Sequence, residues 1–305
     1  MERSAWQASE VAHADRVDAA TAAHRARRRS GRRHPVEDFL FTYYSSTPAQ
    51  LRRWHPGAGI RLGDAAGTPR AGWRFHREVG RDVELDHAAY LQARGGTVEF
   101  VRRLLTATAS RPAQLGCFGL HEWAMVYRQD KFDLRHEYLQ LRLGSAGTDK
   151  VVEDNRIRCT HFDAFRFYTP PARALNLVQP TRERQVELEQ PGCLHATMDL
   201  YKWAGKLVPA VPSELVMDCF DLAREVRELD MRAAPYDLSE LGYEPVRVET
   251  PSGRAEYAAA QRAFATRGQD LREQLLQALA GLAGGDQPSV DGAQPVEASS
   301  SARMR

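Results

Sequence analysis

From Pro212 onward the chain sets Leu215, Cys219, Leu222, Val226 and Leu229 at spacings of four and three, with Asp218, Asp221, Glu225 and Glu228 between them. Such spacing gathers the apolar residues on one stripe of an α-helix and turns the acids to the opposite side. A strand, with its period of two, cannot sort these residues. The chain must therefore give this helix a hydrophobic surface to lie on. Further helical patterns cover residues 4–29, 36–44, 49–54, 86–109 and 254–282, and residues 115–127 are apolar nearly all round, as a buried helix would be. Gly95-Gly96 predicts a break or bend in the 86–109 helix, where Val98, Val101, Leu104 and Leu105 form the stripe.

Strand signals are few. Leu139, Leu141 and Leu143 alternate with Gln140 and Arg142, residues 158–167 alternate less cleanly, and the glycine- and arginine-rich stretch 57–85 has room for a small hairpin. The expected fold is mainly α: a single helical domain over residues 34–282 with a small β insertion around residues 137–167. Residues 1–33 form a basic N-terminal helix or arm, and 283–305, rich in Gly, Ser, Ala and Pro, a disordered tail.

With 43% hydrophobic residues in 305, the chain can bury one sizeable core. A net charge of +2 removes any global electrostatic case for nucleic acid and leaves only local ones. One exists: between His24 and His34 stand Arg25, Arg27, Arg28, Arg29, Arg32 and Arg33 without an acid, which suits either a solvated helix end or a phosphate-contacting arm. Four cysteines without a C-x-x-C pair fit neither a zinc ribbon nor a secreted disulfide framework. No apolar run reaches the length of a membrane span, so a soluble cytoplasmic protein with no membrane partner is expected. Phosphate-cradling glycine loops and the zinc-deaminase pattern are absent.

Chemistry concentrates in residues 190–203. A helix starting just after the Pro191-Gly192 turn carries His195 and Asp199 one turn apart on one face. Upstream, Gly116-Cys117-Phe118-Gly119 leads into His121, Glu122 and Trp123, and His161 and Asp163 share a face at strand spacing. Convergence of His121, His161 and His195 with these carboxylates would suit a divalent metal (non-haem iron, manganese or zinc) acting on a small molecule. The same residues also allow buried histidines satisfied by ordinary hydrogen bonds. Cys117 and Cys193 beside imidazoles allow a thiolate nucleophile as a further alternative.

The blocks at 34–44 (opening His34-Pro35-Val36-Glu37-Asp38-Phe39), 115–125, 190–203 and 229–238 resemble a bacterial family carried under the name 3-methyladenine DNA glycosylase. The resemblance covers about residues 30–280. It implies a hydrolase of base-excision repair that needs no cofactor and binds DNA. Such an enzyme extrudes an alkylated purine, stacks it on aromatics and helps water attack the sugar carbon. The residues offered for that chemistry are Asp199, Asp163 and Glu122 as the catalytic carboxylate. Trp123, Tyr201 and Trp203 are offered for stacking, and Arg25, Arg28 and Arg29 for phosphates.

Overall fold

The structure is a computed structural model that describes residues 1–129 and 138–283. In chain order it contains α1 (Arg3–Arg29), α2 (Phe39–Tyr43), α3 (Pro48–Leu51), β1 (His76–Val79), β2 (Asp82–Leu85), α4 (His87–Ala109) and α5 (Leu120–Ala124). There follow α6 (Gly144–Glu153), α7 (Phe162–Phe165), α8 (Pro170–Arg173), α9 (Gln185–Leu188), α10 (Leu194–Leu207), α11 (Ser213–Arg232) and α12 (Pro251–Ala283). The mainly α class holds. The expected tail, apart from its first residue, and His136 lie outside the described residues.

The centre is the packing of α10 on α11, with α12 and α4 closing round them. All five predicted stripe residues of α11 are buried. On α12, Gly268 allows a close crossing, because a Cβ there would come within 2.9 Å of Thr197 on α10. Contrary to expectation, α4 runs unbroken through Gly95 and Gly96. Both keep helical backbone while Tyr90, Val101, Leu104 and Leu105 bury the same face, so packing overrides the weak glycine propensity.

The expected β insertion at 137–167 is corrected by the structure. Among the described residues the one sheet is the β1–β2 hairpin, with His76 opposite Leu85. Leu141 makes only an isolated bridge to Tyr236, and Ile157 one to Asn176. The alternation at 139–143 therefore marks an extended segment with a single bridged pair, because Gly144 at φ +63° turns the chain into α6. The alternation at 158–167 is ended by α7, and His161 and Asp163 sit at the start of that helix and not on a strand face.

The basic N-terminal segment packs against the body. Trp6, His13, Ala14, Val17, Thr21 and His24 line the buried side of α1, and Arg16 bridges Asp218 and Asp221 of α11, both at 2.7 Å. Nearby, Arg70 is buried among Trp6, Trp54 and Trp73, its guanidinium 4.4 to 5.5 Å from the ring centroids. Glu10 and the Trp54 carbonyl accept its hydrogen bonds, which keeps this buried cation compensated.

Candidate functional site

The turn before α10 is fixed by its own side chains. Gln190 accepts from the backbone N–H groups of Gly192 and Gln114, both at 2.8 Å, and Gln261 of α12 donates to the Gly192 carbonyl. Gly192 is required because a Cβ would stand 2.6 Å from the Gln114 carbonyl oxygen. These contacts hold the segment leading to α5 beside the first turn of α10, and so bring His121 to His195. Their rings meet edge to face at 4.4 Å, and His195 stacks on His161 at 5.4 Å. The three histidines named in the sequence stand in one row, with His195 between the other two, but they do not form one ligand set: His161 groups with Glu189 and Asp199, His121 and His195 with Asp230.

On one side of His195, His121 Nε2 lies 2.7 Å from Asp230 Oδ1, and Arg227 Nη1 donates to Asp230 at 2.9 Å and to Glu122 at 3.1 Å. All four of these side chains are buried. Burial alone would lower the His121 pKa, but Asp230 outweighs it and raises it well above the usual value. The Asp230 carboxyl is likewise held low by His121 against the effect of burial. This end opens on a cleft with room for about 10 Å³, roughly one water molecule.

On the other side, His161 Nε2 lies 3.4 Å from both Glu189 Oε1 and Asp199 Oδ2. That is longer than a good hydrogen bond, and neither ring nitrogen of His161 has a hydrogen-bond partner although the residue is 1% exposed. Asp199 Oδ1 accepts from the Tyr44 hydroxyl at 2.8 Å, while Lys202 Nζ bridges Asp199 and Asp163 at 2.8 Å each. Burial would push the Asp199 carboxyl up, yet His161 and Lys202 hold it far below the usual carboxylate range. Burial raises the Glu189 carboxyl, and the two carboxylates raise His161. His195 is driven the other way, well down, by burial and by the cationic His121, so it is a neutral imidazole.

Two groups of three can each supply metal-ligand atoms, His121–His195–Asp230 and His161–Glu189–Asp199. They differ in spacing. A 2.7 Å separation between His121 and Asp230 is that of a hydrogen bond already made. The 3.4 Å separations around His161 match the distance of about 3.4 Å between two ligand atoms that each sit about 2.1 Å from a tetrahedral ion.

Of the other residues singled out, Asp163 belongs to the Lys202 pair and Glu122 to Arg227. Trp123 is wholly buried with its Nε1 bonded to the Ala233 carbonyl, and Tyr201 and Trp203 are packed in the same core, so none has an open face for stacking. Arg25 pairs with Asp18 at 3.2 Å, whereas Arg28 and Arg29 are exposed. Cys193 is buried and its thiol pushed well up, which disfavours a thiolate nucleophile there, while Cys117 Sγ lies 3.7 Å from His121 Nδ1. All four cysteines are free.

Glu189, Asp230 and Arg227 were not singled out from the sequence. Asp230 follows Val226 by four, so extending the α11 stripe by one turn places a carboxylate on the buried face; that signal was there to be read. Glu189 lies in a charged segment indistinguishable from a surface connection. No family model, curated protein or solved structure matches this chain.

Proposed function

We propose that the protein is a metal-dependent enzyme acting on a small molecule, with His161, Glu189 and Asp199 holding one divalent iron, manganese or zinc ion. The observation that carries this reading is His161, a fully buried imidazole without a hydrogen bond whose Nε2 is equidistant from two buried carboxylates. One nitrogen and two carboxylate oxygens leave coordination positions for water or substrate, where such an ion supplies Lewis-acid or redox chemistry. Around it, Tyr44 and Lys202 orient Asp199, and the neutral His195 ring stacks on His161. The His121–Asp230 pair, backed by Arg227, fixes the charge on the far side of His195.

The test is the metal content of protein purified without a His-tag, followed by titration of the metal-free form with manganese and zinc. About one equivalent per chain is expected, with uptake weakened at least about 100-fold in Asp199→Asn. Iron, manganese and zinc all far below one per chain, with no uptake on titration, would remove the reading. The glycosylase activity implied by the family resemblance asks Asp199 to assist water at a sugar carbon, with no metal. It predicts release of free base from methylated duplex DNA, lost in the same Asp199→Asn variant, and this assay separates the two readings.

A further inference from the structure

A cavity of about 380 Å³ opens beside the histidine–carboxylate cluster, lined by Tyr44, Arg53, His55, Arg94, Lys202 and Lys206 among others. Its size lies in the range of small-molecule sites. Two of its walls belong to the cluster, since the Tyr44 hydroxyl and the Lys202 ammonium both hold Asp199.

The charge of the lining is one-sided. No acidic residue contributes to it, while Arg53, Arg94 and Lys206 form no ion pair among the described residues, and the Arg94 Nε is buried without a hydrogen-bond partner. His55 is buried, and its Nδ1 also lacks a partner. Leu51, Val208 and Val216 add an apolar patch. Unpaired guanidinium and ammonium groups converging on a partly enclosed space attract an oxyanion and bind it by charge-assisted hydrogen bonds. Gly205, inside α10, keeps the floor open, for a Cβ there would meet only the Ser46 hydroxyl at 3.4 Å.

We infer that this cavity is the substrate pocket and that it takes a small amphiphilic oxyanion, a carboxylate or phosphate ester whose head lies on Arg53, Arg94 and Lys206 and whose short apolar part lies on Leu51, Val208 and Val216. Its catalytic meaning rests on the metal-dependent reading, but the binding step does not require the metal. The head group is held by cations and the body points along the wall shared with Asp199.

Calorimetric titration of metal-free protein with hexyl phosphate and with hexanoate tests this and distinguishes the two head groups. Saturable 1:1 binding of at least one is expected, weakened about tenfold or more in the Arg53→Ala/Lys206→Ala double variant. Both substituted residues are exposed, so folding is retained and is checked by the melting curve. In addition, Gly205→Leu blocks binding and Gly205→Ala preserves it. Failure of both probes to bind, binding unchanged in the double variant, or tighter binding of a short duplex DNA than of either probe would overturn the inference. A protein that takes up metal but binds neither probe loses this inference alone; one that binds a probe but no metal loses only the metal reading.

Discussion

At the scale of single residues, the cluster is a problem in compensating buried charge. Arg227 is 2% exposed and serves two buried carboxylates, Glu122 and Asp230, so its removal strands Glu122 and leaves Asp230 to His121 alone. Arg227→Ala is expected to cost about 3–5 kcal/mol in urea unfolding, as removal of one partner from a buried ion pair does. His55 gives a prediction in pH. Burial, reinforced by the charge of His76 and Arg70, lowers its pKa to about 3, below the usual value near 6.5 in the unfolded chain. The unfolded chain therefore takes up the proton first, so the contribution of His55 is complete above pH 6.5 and is lost as pH falls from there through 3. Unfolding free energies measured between pH 7 and 4 should fall in that window, and less steeply in His55→Phe. Residue reasoning from sequence found His121, His161, His195 and Asp199 because imidazoles are few and their spacing is informative. It missed Glu189 and Arg227, since charged residues are common at surfaces and burial is decided by distant elements.

At the scale of elements, α10 and α11 were legible because their apolar stripes follow from local spacing alone. The extended segments at 139–143 and 158–167 were not: alternation describes an extended backbone, while membership of a sheet depends on whether a partner strand arrives. Here Tyr236 and Asn176 provide one bridge each. The misplaced bend in α4 has the same origin, because glycine propensity is small beside the burial of Tyr90, Leu104 and Leu105. A Cβ at either Gly95 or Gly96 would meet nothing within 4 Å. Replacing each by alanine should therefore stabilise the protein by about 0.5–1 kcal/mol, read as a higher melting temperature. A loss of stability at either position would mean that α4 needs the bend that the sequence suggested.

At the scale of the molecule, elements far apart in sequence each bring one part of the cluster. The α5 helix brings His121 and Glu122, the start of α7 His161 and Asp163, the end of α9 Glu189, α10 His195, Asp199 and Lys202, and α11 Arg227 and Asp230. Five carboxylates face Lys202, Arg227 and three histidines, with Arg166 and Arg182 also beside Asp163, and the cationic pocket adjoins them through Tyr44 and Lys202. Among the described residues no helix is long and apolar enough to cross a membrane. Titration of the metal-free protein with manganese, in wild type and in His161→Gln and Asp199→Asn, decides whether His161, Glu189 and Asp199 hold a metal ion. One equivalent bound by the wild type, with a rise in melting temperature, and at least about 100-fold weaker binding in each variant are expected. Wild-type protein that takes up neither manganese nor zinc, or variants that bind as well as wild type, would contradict a metal site there.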